Sequence, residues 1–318
     1  VSIRSRPLGK TGLVVSELSL GTWGLSGDAY GPVEAAVAEK TIARALEMGF
    51  TLFDTADAYG GGTMEARLGR MLRGDGAKNA IVVTKVGTDR TTEPARKRVE
   101  PAFLRTRAEA SLKRLGRERI DVLLLHNPSA EALLHGEAAA TMLEMKKDGL
   151  IGHWGVAAGD AEVGRAAIDK GAEVIELPYN LIHGIDLHRL AGDAMVSGVG
   201  ILARSVLAHG LLAGLWTKDR SFPEGDHRAD RWTKLELERR VEQLAALGFL
   251  VRGDVSTLRG AAVRFVLANH LVSSAVLGPR SAEQLEQLVR ETGSGPRYLP
   301  DEALASLPRA LSKVGILT

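Results

Sequence analysis

The sequence predicts an α/β fold in which eight parallel strands close into a (β/α)8 TIM barrel, with an N-terminal hairpin and a long loop between strands 7 and 8. Three observations predict it. Eight short apolar runs alternate with segments of helical period across most of the chain. Three of those runs end abruptly in a titratable residue (Asp54, Lys85 and His126), which is how a barrel delivers side chains to the mouth at its strand C-termini. The competing doubly wound open sheet lacks its phosphate-binding fingerprint, because Gly60-Gly61-Gly62 is followed by Glu65 where the last Gly belongs.

Taken in order, residues 3–15 hold Gly9-Lys10-Thr11-Gly12 between two apolar pieces, a hairpin turning at Lys10-Thr11. Gly9-Lys10-Thr11 also ends like a P-loop, but that motif needs a Gly five residues before Gly9, and Arg4 stands there. Strands are expected at 17–20, 50–53, 81–83, 122–125, 153–156, 174–177, 200–203 and 274–277. Helices are expected at 33–48, 64–72, 101–115, 138–147, 162–170 and 186–196, with Pro101 supplying a first helical position. The connection 205–271 is too long for an ordinary barrel loop. It holds a polar, Gly- and Pro-marked piece at 219–231, then a capping box (Thr233 with Glu236) ahead of the stripe Leu237, Val241, Leu244, and a further helix at 257–268. Such an insertion is a lid or ligand clamp, or only a cap on the barrel rim.

With 318 residues and 45% hydrophobic content, the chain is long enough to bury one large core, and a single domain over 1–318 is expected. Charged residues nearly cancel at +2, so there is no overall field for nucleic acid and any anion site must be local. The absence of Cys excludes disulfides, thiolate metal sites and a Cys nucleophile, and no metal is expected. Residues 1–7 are polar and basic with no apolar run behind them, and no stretch approaches the ~20 apolar residues of a membrane span. The expectation is a soluble, cytoplasmic chain without a membrane partner; nothing in the sequence sets its oligomeric state.

Asp54, Tyr59, Lys85 and His126 converge on one mouth in this reading. A phenol is a weak acid at neutral pH, and a neighbouring ammonium lowers its pKa, a role open to Lys85. Asp54 would hold Lys85 charged, while His126 would hydrogen-bond an incoming carbonyl oxygen or relay a proton. Each residue alone has a plainer explanation: an ion pair tying two strands, a loop tyrosine, a core histidine. Four together at one face make an active site.

The run Phe53-Asp54-Thr55-Ala56-Asp57-Ala58-Tyr59-Gly60 and the strand ends Thr84-Lys85 and Leu123-Leu124-Leu125-His126 resemble the aldo-keto reductase family, and the resemblance covers nearly the whole chain. It extends to Leu8-Gly9, Thr11-Gly12-Leu13, Gly21-Thr22-Trp23-Gly24, Pro178-Tyr179-Asn180-Leu181, Gly210-Leu211-Leu212-Ala213-Gly214, the segment 222–228 and Gly278-Pro279-Arg280-Ser281. It implies an NADPH-dependent reductase of a small-molecule aldehyde or ketone, with Tyr59 as proton donor, Lys85 and Asp54 tuning it, and His126 orienting the carbonyl. It implies NADPH/NADP+ contacts at Gly21, Thr22, Trp23, Asp54, Glu176, Arg204, Ser205, Leu207, Gly210, Gly278, Arg280 and Gln284, with Arg280 meeting the 2′-phosphate and Trp23 also reaching the substrate pocket. Ser281 and Gln284 read as a capping box opening a helix, and a helix N-terminus beside an Arg is an anion site, although the cap alone also accounts for Gln284.

Three features, at four positions, depart from the family pattern. Ala157-Ala158 follow the fifth strand in place of Ser-Asn, Glu176 replaces Gln, and Leu288 replaces an Asn that meets adenine. Glu176 either sets a negative charge beside the nicotinamide, favouring bound NADP+, or pairs with Arg204 and cancels. Two other functions compete: a cofactor-binding regulatory or channel-associated subunit of this fold with little turnover, and a Schiff-base aldolase using Lys85.

Overall fold

The computed structural model describes residues 3–92, 94–293, 295 and 298–317; Val1 and Ser2 of the leading segment lie outside the described residues. Strands β1 (Ser5–Pro7) and β2 (Val14–Ser16) form the N-terminal antiparallel hairpin. The barrel strands begin with β3 (Leu18–Gly21), β4 (Leu52–Asp54) and β5 (Ile81–Val86). A two-stranded excursion, β6 (Thr88–Asp89) with β7 (Arg96–Lys97), interrupts them. The barrel resumes with β8 (Ile120–His126), β9 (Ile151–Ala157), β10 (Val174–Pro178), β11 (Gly200–Arg204) and β12 (Val272–Leu277), and β12 pairs with β3 to close an eight-stranded parallel ring.

All eight expected strands are present, with shifted ends. β5 runs on through Lys85 to Val86, so Lys85 sits inside the strand. β4 starts at Leu52 because Gly49, at φ +88°, terminates the preceding helix and Phe50 bonds back to Ala45.

Strand alternation sorts the apolar residues into two cores. Leu52, Val83, Val122, Leu124, Ala157, Val174, Leu202 and Val276 point inward and pack with Leu8 and Val15 of the hairpin. Phe53, Val82, Leu123, Leu125, Trp154, Ile175 and Ile201 point outward beneath the helices. Each such Val or Leu contributes roughly 1.5–3 kcal/mol on burial. The hairpin plugs the barrel at the end opposite the mouth: a Cβ on Gly9 would meet Gly200 N at 2.3 Å, and Lys10 N donates to Gly198 O at 2.8 Å. Arg6 fixes it from the side, donating to Leu267 O at 2.8 Å and Val272 O at 2.9 Å. The Gly9–Gly12 turn therefore serves packing, and the P-loop alternative falls away.

The long connection after β11 contains the expected capping box, with Thr233 and Glu236 bonded reciprocally at the start of the helix Lys234–Gln243. Thr257 caps the helix Leu258–Ala268. The helix Asp301–Ser312 was not among those expected; Pro308 lies inside it and is exposed, while Leu307 and Leu311 face the core. Among the described residues, no helix is long and apolar enough to cross a membrane, and no group of three or more His, Asp or Glu could hold a metal ion.

Candidate active site

The inward positions at the strand C-termini come from the same alternation that builds the core. Gly21, Asp54, Lys85, His126, Ala157, Glu176, Arg204 and Val276 line one cavity of about 840 Å³, within the range of small-molecule sites. Lys85, Asp54 and Glu176 are 1%, 4% and 2% exposed, so their charges must be met inside the protein. Lys85 Nζ donates to the Asp54 carboxylate and to Thr55 O at 3.1 Å, and lies 3.1 Å from Glu176 Oε2. Glu176 Oε1 is 3.9 Å from Arg204 Nε.

Glu176 thus bridges two cations, and two carboxylates face two positive groups. Glu176 is therefore not a lone carboxylate: Lys85 is its nearer partner, and Arg204, the partner considered from the sequence, stands 3.9 Å away. Burial alone would lower the Lys85 pKa, but Asp54 and Glu176 hold it above that of an ordinary lysine. Burial and the facing Glu176 push Asp54 up, against the pull of Lys85.

Tyr59 follows β4 in a loop closed by Gly60 and Gly61, both in left-handed conformations. Its ring lies 5.6 Å from Lys85 Nζ and 5.9 Å, edge-on, from the His126 ring, and Trp23 stacks beyond it at 6.4 Å. The expectation that Lys85 lowers the Tyr59 pKa needs correction. Burial raises it, and the pull of Lys85 is opposed by Asp54 and Glu176, so the phenol keeps its proton at neutral pH. His126 is held well below ordinary histidine by burial and then by Lys85, Lys97, Arg204 and Arg90. It is a neutral imidazole, able to donate one hydrogen bond; a relay through imidazolium is disfavoured.

Trp23, Ser205, Leu207, Gly210, Gly278, Arg280, Gln284 and Leu288 line the same cavity, so most of the expected cofactor residues share one groove with the four catalytic candidates. Three expectations change. Thr22 is fully buried and donates through Oγ1 to Asp54 O at 3.0 Å, so it ties β3 to β4 and does not line the groove. The Ser281 hydroxyl caps Gln284 N, but Gln284 Oε1 accepts from Arg280 N at 2.9 Å, which leaves the box half-made. Arg280 donates to Tyr30 O at 2.7 Å and to Gly31 O and Pro32 O at 3.0 Å each, tying down the loop after β3. Its Nε is buried without a partner.

Sequence reasoning gave no role to Tyr30, Arg90, Lys97, His209, Trp216, Arg228 and Arg231, which also line the cavity. The segment 222–228 had been singled out without a function. In the fold it crosses the mouth: Tyr30 bridges Asp226, His227 N donates to Ala29 O at 3.0 Å, and Arg228 stacks over Tyr30 and Phe222. These contacts make the insertion a strap over the site.

A nicotinamide dinucleotide fits this groove. Glycines at 210 and 278 line its wall, buried atoms without a hydrogen bond occur at Arg280 Nε, Arg204 Nε and Glu176 Oε2, the last two in ion pairs only, and an Arg stands one residue ahead of a helix cap. With Ala157 and Ala158 offering no polar side chain, Arg204, which donates to Ala158 O at 3.1 Å, Glu176 and Asn127 supply polar groups at that corner.

A profile of the Aldo/keto reductase family matches residues 17–293, and the chain belongs to that family of oxidoreductases, whose members bind nicotinamide cofactors. Among known proteins it is 30% identical to Aldo-keto reductase YhdN of Bacillus subtilis, covering 89% of this chain and 87% of the relative. It is 28% identical to the NADH-specific methylglyoxal reductase of Escherichia coli, covering 96% and 98%. The solved structure of a glycerol dehydrogenase from Gluconobacter oxydans superposes with a TM-score of 0.84 at 26% identity, covering 98% of this chain and 96% of that one.

Proposed function

We propose that the protein reduces an aldehyde or ketone to an alcohol with NADPH, Tyr59 serving as the proton donor. The observation that carries this reading is the convergence of Tyr59, Lys85, Asp54 and His126 on one cavity, with Lys85 bonded to Asp54. A reduced nicotinamide held in the groove lined by Arg204, Gly278 and Arg280 would supply a hydride for the carbonyl carbon. The Tyr59 hydroxyl gives its proton to the oxygen as negative charge develops there, and the neutral His126 N–H orients that oxygen. Lys85 stays an ammonium ion and stabilises the phenolate left behind, while Asp54 and Glu176 hold it in place.

The same charge state counts against a Schiff-base aldolase, since an ammonium held between two carboxylates is not a nucleophile. For the phosphate of NADPH, the support is the place of Arg280 on the groove wall, one residue ahead of the Ser281 helix cap. The test is cofactor oxidation with a panel of aldehydes and ketones, run with NADPH and with NADH. Turnover with NADPH as the better cofactor supports the proposal. Tight cofactor binding without turnover of any carbonyl contradicts it and favours a regulatory subunit.

A further inference from the structure

We infer that the substrate carries an anionic group, a carboxylate or a phosphate, and that Lys97 is the residue that selects it; the inference rests on the carbonyl-reductase reading above. Lys97 ends β7, the outer strand of the small hairpin that follows β5, three strands round the barrel from the β12 end that carries Arg280. The hairpin is braced rather than loose. Arg98 pairs with Asp89 at 3.0 Å, Asp89 accepts from Thr91 N at 2.9 Å, and Arg98 N donates to Gly87 O at 3.0 Å.

This bracing aims Lys97 at the site. Its Nζ donates to Thr88 Oγ1 and to His126 O, both at 2.8 Å, so the ammonium sits on the backbone of the histidine that faces Tyr59. On the next residue, Asn127 Oδ1 lies 3.4 Å from Arg204 Nη2. Two cations therefore straddle His126 and Asn127 at the cavity wall.

The charges around them do not balance. Arg90 is paired with Asp28. Lys85 and Arg204 share Asp54 and Glu176. Lys97 has only neutral acceptors, and no carboxylate among the described residues forms an ion pair with it. Its third N–H is free of any protein acceptor among those residues. The ammonium is pushed down by burial and by Arg204, while Asp57, whose own ion pair is with Arg107, pulls it up from a distance. An anionic group on the substrate would take the free N–H and supply the missing charge, with the carbonyl placed beside His126.

The test compares matched pairs, succinic semialdehyde against butyraldehyde and glycolaldehyde phosphate against glycolaldehyde, in the wild type, Lys97→Gln and Lys97→Arg. Calorimetric titration with succinate and with inorganic phosphate reads anion binding apart from turnover. In at least one pair, the charged-to-neutral ratio of kcat/KM should fall about tenfold or more in Lys97→Gln, as expected for a hydrogen bond to a charged group, and be largely restored in Lys97→Arg. Binding of the corresponding anion should weaken in parallel, and the pair affected tells carboxylate from phosphate. A ratio unchanged by Lys97→Gln in both pairs overturns the inference while leaving carbonyl reduction standing. If no aldehyde is turned over, the carbonyl-reductase reading fails, and the titrations alone decide the anion site: binding lost in Lys97→Gln supports it, and binding that is absent or unaltered refutes it.

Discussion

Glu176→Gln tests how the buried charges set the acidity of Tyr59. The substitution keeps the shape of the side chain and removes one of the two carboxylates on Lys85. Glu176 Oε2 is 3.1 Å from Lys85 Nζ, which lies 5.6 Å from the Tyr59 ring centre, so the carboxylate is within about 9 Å of the ring. At an effective dielectric of ~20, one charge at that distance acts on a phenolate with about 2 kcal/mol, a little over one pH unit. The sign follows from the chemistry. An anion near Tyr59 raises its pKa, so removing the anion lowers it. Reduction needs the protonated phenol, and its rate falls as pH rises through that pKa. Because burial holds the wild-type phenol well above ordinary tyrosine, kcat/KM should stay flat until the highest accessible pH, and in Glu176→Gln its fall should begin about one unit lower, in the same ionic strength as the wild type. A limb that stays in place, or moves up, would refute the view that Glu176 is charged and felt by Tyr59.

Arg280→Glu should weaken NADPH far more than NADH in fluorescence titrations, because a like charge replaces the guanidinium offered to the 2′-phosphate. Equal loss with both cofactors would make Arg280 only the tie that holds Tyr30, Gly31 and Pro32. Arg114→Met leaves Glu65 fully buried with only Thr84 as partner and should cost about 3–5 kcal/mol in urea unfolding. Gly9→Val forces a Cβ into the backbone of residues 198–200 at a positive φ, and should lower the thermal midpoint by several degrees, on the order of 1–3 kcal/mol of strain. A melt equal to the wild type would mean the hairpin does not need its close approach to β11.

Much of the barrel was legible because parallel strands buried on both faces leave continuous apolar runs, and the same runs place Asp54, Lys85 and His126 at one end. What was not legible depended on distant partners. Nothing local to Thr22 says that its hydroxyl turns to the Asp54 carbonyl, and nothing local to Arg280 says that three carbonyls of residues 30–32 engage it. The tuning of Tyr59 was misread because a sequence shows Lys85 as a neighbour but not the burial that outweighs it. Pairing of Glu176 with Arg204 could be posed as an alternative from the sequence, but its nearer partner, Lys85, emerges only from the positions of β5, β10 and β11 around the ring. The mouth residues Lys97, on the two-residue strand β7, and Arg231, in a turn, lie in excursions too short or irregular to carry a periodic signal.

The most direct test of the account is a single-turnover comparison of the wild type and Tyr59→Phe, each loaded with NADPH and mixed with an aldehyde that the wild type reduces. Removing the hydroxyl leaves the groove and the Lys85–Asp54 pair in place. The account predicts unchanged NADPH affinity and a cofactor-oxidation rate lower by about two orders of magnitude or more, the usual contribution of a general acid. A Tyr59→Phe protein that oxidises NADPH at the wild-type rate would contradict it.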